Sequence, residues 1–407
     1  MSVAAEPLKS SSSLAPEARL LLAAVRERDP EARVAAVQAI LTENIDWDFV
    51  RELTERNQVV GLVFQALSAA EVDTVPRDLL SRLRTVHLET TQHALLLQGQ
   101  LVHVLKALSE RGIRALPFKG PTLGLSLYGN IALRQTWDLD ILFHKEDVLE
   151  AKGVLQGLGY VFEDGTTDSD VPDRLQNDCE LNFVHPNTGV VVEVHWDILP
   201  KAHGPAGHGA FLWDGAEEMD LNGARILTPK PAAVLKALLV HGGVKHMWDE
   251  VRIITDVARA LETVSEAELD TLLDDMKARH VLHNALTGLL LASRLIGASL
   301  PESVERAIRA NGLAGSVSAL AMGRMFGRRL GLPSFEQWCA YSRDLGLLDE
   351  GSKGSAIQYW RGVMVPEFND REALPAIPTF LAPVFYFVRA IRLASKPGAM
   401  NLRGQLP

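Results

Sequence analysis

Apolar residues recur every three to four positions from Pro16 to about Arg111, as in "EARLLLAAVRERDPEARVAAVQAIL" and "RDLLSRLRTVHLETTQHALLLQGQLVHVLKALSERG". That period predicts a helical N-terminal region, and Gly112 predicts its stop. The pattern then shortens. "IRALPFKG" and "WDLDILFHK" read as short strands, and "EDVLEAKGVLQGLGYVF" as an amphipathic helix returning to a strand. Asp164 to Asp178 reads as a polar loop. In "CELNFVHPNTGVVVEVHWDIL" two β-rich runs flank His185-Pro186-Asn187-Thr188-Gly189, which predicts a hairpin. From "KPAAVLKALLVHGGVKHMWDEVRIITDVARALETV" onward helical spacing returns, broken by Pro and Gly. No internal repeat or long low-complexity tract interrupts it. The expected organisation is a flexible lead-in (1–15), a helical N-terminal region (16–111), an α/β core (112–228) and a helical C-terminal region (229–407). The fold class is α+β, a small mixed β-sheet flanked by helical regions.

Composition narrows the classes of function. The 407 residues suffice for a sizeable core. With 41 basic and 51 acidic residues the formal charge is -10, so the chain has no general affinity for phosphate backbones, and no DNA partner is expected. Cys179 and Cys339 stand far apart without neighbouring thiols, which fits a reducing compartment and speaks against a zinc site built on cysteines. The opening "MSVAAEPLKSSSSLAPEARL" reads as a lead-in and not a signal peptide, so a cytoplasmic location is expected. The apolar run from Ile377 to Val388 is too short to span a bilayer and contains Pro378 and Pro383, so no membrane span is expected.

The chemistry concentrates in "FKGPTLGLSLYGNIALRQTWDLDILF", residues 118–143. In an extended strand Asp138 and Asp140 point to one face while Leu139 and Ile141 point to the other. Two like charges so close need solvent, a cation or a basic partner, and paired carboxylate oxygens are what Mg²⁺ prefers. The same parity puts Val191, Glu193, His195 and Asp197 on one face of the second hairpin strand. If that strand pairs with "DLDILF", three carboxylates converge, enough to hold two Mg²⁺ ions for in-line displacement at phosphorus. A lone Asp-x-Asp also fits a solvated strand end.

Upstream, Lys119-Gly120 ends a strand before a helix with Pro121 in its first turn. Backbone amides there could meet phosphate oxygens, with Gly120 allowing close approach and Lys119 adding charge; a tight turn alone also accounts for Gly120. Arg134 suits a bidentate clamp on a triphosphate or a neutralising partner for Asp138.

The order Lys119-Gly120, Arg134, Asp138-Leu139-Asp140 and Glu193-Val194-His195-Trp196 resembles the DNA-polymerase-β-like nucleotidyltransferase superfamily. Within it, the sequence looks like the uncharacterised bacterial nucleotidyltransferase family, which flanks a small core with helical regions. The resemblance is strongest from about Ile113 to Leu199 and continues colinearly from about Pro16 to about Val264. It implies NTP and Mg²⁺ as cosubstrates, and transfer of an NMP group with release of pyrophosphate. By position, Asp138 and Asp140 would bind metals, and Glu193 would complete the site and help activate the acceptor hydroxyl. This chain carries Gly120-Pro121 where the superfamily has Gly-Ser or Gly-Gly, and its run to Asp138 is long.

"HGGVKHMWDEVRIITD" brings His241, His246, Trp248, Arg252 and Asp256 into one helical or broken-helical segment. On a continuous helix His241 and His246 stand about 140° apart, poor for one ion, while Arg252 and Asp256 are spaced for an i,i+4 ion pair. The resemblance makes this segment a wall of the site. His195, His241, His246 and Arg252 are candidate contacts to acceptor or phosphate, with structural roles the alternative for each. "HGPAGHGAF" reads as linker, with a metal site through its paired histidines the alternative, and "GRMFGRRLG" and "FYFVRAIRLASK" as solvated helix faces, with contact to an anionic partner or a membrane surface the alternative. The leading expectation is an NMP-transferring enzyme whose acceptor is a small molecule, a peptide, a protein or an RNA end. A non-catalytic nucleotide- or partner-binding protein and a toxin-like tRNA-modifying enzyme are the alternatives, and transfer of the γ-phosphoryl group is open.

Overall fold

The computed structural model describes residues 14–163, 165–199, 209–279 and 281–328. Cys339, Ile377 to Val388, "FYFVRAIRLASK", most of "HGPAGHGAF" and nearly all of the lead-in lie outside them. The N-terminal region forms α1 (Pro16–Arg26), α2 (Pro30–Ile40), α3 (Trp47–Arg56), α4 (Val60–Ala70) and α5 (Arg77–Ser109). Asp29 and Asp46 cap α2 and α3 by accepting from backbone N–H groups three residues on. Gly112, at φ +73°, turns the chain out of α5 as expected.

Helix α5 joins two cores. Its buried residues Leu79 and Leu83 pack among the helices of the N-terminal and C-terminal regions. One further stretch of the same helix, Leu97, Leu101, Val104 and Leu108, packs under the sheet. The spacing of three and four keeps them on one stripe, and each such apolar side chain contributes about 1.5–3 kcal/mol by its burial.

The core runs β1 (Leu116–Pro117), α6 (Gly120–Tyr128), β2 (Asp138–Leu142), α7 (Val148–Gly157), β3 (Val161–Phe162), α8 (Val171–Asn177), β4 (Glu180–Val184) and β5 (Val191–His195). The sheet order is β1-β2-β5-β4-β3. β2 and β5 run parallel, and the other pairs are antiparallel. Leu139, Ile141, Leu181, Phe183, Val192 and Val194 form the buried face, covered by α5 and α7. The opposite face carries the polar residues of the same strands.

Three differences from the sequence expectation stand out. The polar loop before the hairpin contains the short helix α8, started by Pro172 in its first turn. A second sheet, β6 (Glu217–Leu221) with β7 (Ala224–Thr228), was not expected, although Asn222-Gly223 is a strong turn signal and both residues have positive φ. And β5 ends at His195, so Asp197 leaves the strand face. Its Oδ1 accepts from the amides of Ile198 and Gly209.

Beyond the core come α9 (Pro231–Val244), α10 (Val251–Leu261), α11 (Glu266–Ala278), α12 (Leu282–Leu291), a π-helical turn (Ala292–Ile296), α13 (Glu302–Ala310) and α14 (Gly312–Phe326). Trp248 is fully buried in the break between α9 and α10. Among the described residues no helix is long and apolar enough to cross a membrane.

Candidate active site

The parallel pairing of β2 with β5 sets Asp140 opposite Glu193, two residues from Asp138 on the same face. Antiparallel pairing then sets Glu180 opposite His195 and Asn182 opposite Glu193. Four carboxylates, an imidazole and an amide therefore share one polar face.

His195 sits at its centre, 1% exposed. Its Nε2 lies 3.2 Å from Glu193 Oε2 and 3.3 Å from Asp140 Oδ1. Its Nδ1 lies 3.2 Å from the Asp197 carbonyl and 3.3 Å from Glu180 Oε2. Every neighbour is an acceptor, so both ring nitrogens carry protons. Burial alone would lower the imidazole's pKa, but the carboxylates of Glu180, Asp140 and Glu193 outweigh it and push it up to about 10.

The carboxylates differ in what surrounds them. Burial favours a protonated Asp140, yet Lys119 and His195 hold it well below the usual carboxylate range. Asp138 is half-buried and, among the described residues, forms no ion pair. Its burial and the charges of Asp140 and Glu193 push its pKa up to about 7. Lys245 reaches the edge of the cluster, its Nζ 3.4 Å from Glu180 Oε2.

Lys119 is the residue before α6, and its Nζ donates to Asp140 Oδ1 at 2.8 Å. Gly120 adopts φ +63°, and a Cβ there would come within 3.1 Å of the Asp138 carbonyl. Its close approach is thus to the backbone of β2. The turn carrying Lys119 is pressed against the strand carrying the aspartates.

Arg134 pairs with a residue outside the carboxylate face. Its Nε donates to Asp256 Oδ2 at 3.0 Å in a nearly dry pair, and Tyr128 Oη donates to Oδ1 of the same carboxylate at 2.7 Å. Asp138 is not its partner. Gln135 accepts from the amide of Val60, and Trp137 Nε1 donates to Gln58, which in turn donates to Glu250. The segment entering β2 is thereby tied to both helical regions. Arg252 belongs to this scaffold, with its Nη2 2.8 Å from Glu250 and its Nη1 3.9 Å from Asp256.

His241 and His246 meet after all, because α9 ends at Val244. The amide of His246 bonds back to the His241 carbonyl, and the two rings lie 4.6 Å apart. His241 Nε2 contacts Lys119 Nζ at 3.1 Å. Burial, helped by nearby positive charge, lowers the pKa of both imidazoles, that of His246 to about 3. Met247 and Trp248, both at positive φ, make the tight turn that follows.

Among the described residues, three groups of side chains bring potential ligand atoms within 4.8 Å of one another: Asp140, Glu193 and His195; Cys179, Glu180 and His195; and His246, Asp249 and Glu250. The single thiol of Cys179 thus shares a metal-capable group, although burial pushes its pKa well up. Glu180 and Asn182 are not among the residues the sequence singled out. Counting back across the predicted hairpin from His195 and Glu193 would have found both. For Lys245 no local sequence signal exists.

No curated protein matches this chain. The model of an uncharacterised nucleotidyltransferase family matches residues 43–297, from α3 through the parallel strands to the π-helical turn. That match covers well over half of the sequence and all of the carboxylate face, so the chain belongs to the uncharacterised nucleotidyltransferase family.

Proposed function

We propose that this enzyme transfers an NMP group from an NTP to an acceptor hydroxyl, with release of pyrophosphate, and that Asp138, Asp140 and Glu193 hold Mg²⁺. The observation that carries this reading is the parallel register of β2 and β5, which sets the three carboxylates on one face while Asp138 has no direct ion pair among the described residues.

The donor set fits the ion. Carboxylate oxygens are hard ligands of the kind Mg²⁺ takes, and Asn182 Oδ1, buried and without a hydrogen-bond partner, adds a neutral oxygen on the same face opposite Glu193. Mg²⁺ bound there supplies positive charge to the attacking and departing oxygens of an in-line displacement. Lys119 and the first free amides of α6 offer positive charge to the polyphosphate. His195 fixes the orientation of Asp140 and Glu193 by donating to both. The acceptor hydroxyl attacks the α-phosphorus, the bond to the β-phosphate oxygen breaks, and the hydroxyl proton passes to a carboxylate of the cluster or to solvent. The acceptor is a small molecule, a peptide, a protein or an RNA end.

The test is calorimetry of NTP binding with and without Mg²⁺, on wild type and on Asp138→Ala/Asp140→Ala, followed by transfer assays with α- and γ-labelled NTP. Metal-dependent binding confined to wild type, with label retained from the α-position, is the expected result. Transfer of the γ-label instead would reassign the reaction to phosphoryl transfer.

A further inference from the structure

Lys119 stands where a cation is expected. Its Nζ is 2.8 Å from Asp140 Oδ1 and 3.1 Å from His241 Nε2, and its side chain is 11% exposed. An ammonium has protons and no lone pair, so His241 accepts through Nε2 and carries its own proton on Nδ1. The ammonium is therefore shared between an anionic seat and a neutral one. It also projects from the turn before α6, where the proposed polyphosphate would arrive.

We propose that Lys119 is a built-in counter-ion that competes with the divalent cation for Asp140, and that His241 is the second seat that keeps the ammonium at the wall of the site when the cation takes its place. This rests on the metal reading above. In the free protein the lysine, together with the His195 imidazolium, offsets the charge of Asp140 that would otherwise repel Asp138 and Glu193. With the cation on Asp140, the ammonium turns to His241 and to the anionic polyphosphate. Each ligand then favours the other, because the polyphosphate draws the lysine from the carboxylate that the cation needs.

The experiment is titration of the full chain with Mn²⁺ alone, followed by calorimetry, for wild type, Lys119→Met, Lys119→Gln, Lys245→Met and Asp138→Ala/Asp140→Ala. Lys245→Met removes a nearby positive charge whose direct ion pair is with Glu180 and which acts on Asp140 only through its field, so it reports the general field. Either Lys119 variant should bind Mn²⁺ about tenfold or more tightly than wild type, since a unit charge in direct contact is removed. Lys245→Met should gain less than about threefold, as expected of a more exposed charge. Tighter binding is not an effect that damage to the fold produces, and two substitutions guard against one failing to fold. Lys119 variants no tighter than wild type, or matched by Lys245→Met, would overturn the counter-ion role while leaving the metal reading intact. Mn²⁺ binding that persists unchanged in Asp138→Ala/Asp140→Ala would overturn the metal reading, and the counter-ion role with it.

Discussion

Asp140 and Glu193 stand opposite one another in adjacent parallel strands, and a single imidazole nitrogen, His195 Nε2, lies within 3.3 Å of a carboxylate oxygen of each. The pair is thus held by one shared proton donor before any ligand arrives. Asp140→Asn or Glu193→Gln should lower NMP transfer roughly 10²–10³-fold or more, the scale of losing one electrostatic contact in a transition state. Single-turnover transfer of α-label measures this, with circular dichroism confirming the fold.

His195→Gln tests the same relationship from the other side. A neutral amide can donate to only part of what the imidazolium serves, and Asp140, Glu180 and Glu193 are left with excess negative charge. Thermal stability in chelator should fall, and added Mg²⁺ should restore more of it than it adds to wild type. A melt series with and without Mg²⁺ decides; equal shifts in both proteins would count against the imidazolium's role in balancing charge.

Asp138 gives a pH prediction with a definite sign. Its pKa in the folded chain is about 7, against an ordinary 3.8, so folding favours its protonated form. That stability is fully present below the unfolded value and is lost as pH rises through 7. In metal-free buffer Asp138→Asn, which cannot ionise, should melt several degrees above wild type at pH 8. The gap should close as the pH falls toward 4.

The buried pair of Arg134 with Asp256 should be costly to break on one side. Arg134→Met leaves a carboxylate 1% exposed with the Tyr128 hydroxyl, the longer contact to Arg252 and the field of Arg259 to balance it, a loss of about 3–5 kcal/mol. Urea unfolding of Arg134→Met, Asp256→Leu and the double variant checks this. The double variant should be more stable than Arg134→Met alone.

Trp248 is seated against glycines. A Cβ at Gly288 would lie 2.4 Å from its Cη2, and one at Gly242 2.5 Å from its Cζ3. Gly288→Ala should cost about 1–3 kcal/mol by overpacking. It should also slow transfer, because Trp248 follows His246 and Met247 in the turn that positions the His241–His246 pair.

The sequence made the shared face of the carboxylates legible because strand geometry has a period of two and needs no tertiary information. Asp138, Asp140 and Glu193 follow from it directly, and the hairpin was legible from its turn residues. The role of Arg134 was not, since it is decided by a partner brought close only by folding, whereas the i,i+4 spacing of Arg252 and Asp256 already pointed to their contact. Arg134 meets Asp256 across 122 residues of chain. The helical geometry assumed for His241 and His246 failed for a local reason. α9 stops at Val244, between the two histidines, and two successive left-handed residues, neither of them glycine, then turn the chain just beyond His246, where composition gives little warning.

The bonds that hold the entry to β2 also set an order of events. Gln58, Gln135, Trp137, Glu250 and Asp256 must all be present before that segment is fixed, and Gln58 and Glu250 are separated by 192 residues. A chain leaving the ribosome therefore exposes both aspartates long before it can lock them in place, and contacts this distant in sequence close late in folding. The enzyme's chemistry becomes available only when the chain through α10 has been made, so a half-finished chain carries the acidic residues but not yet the rigid site that would let them act.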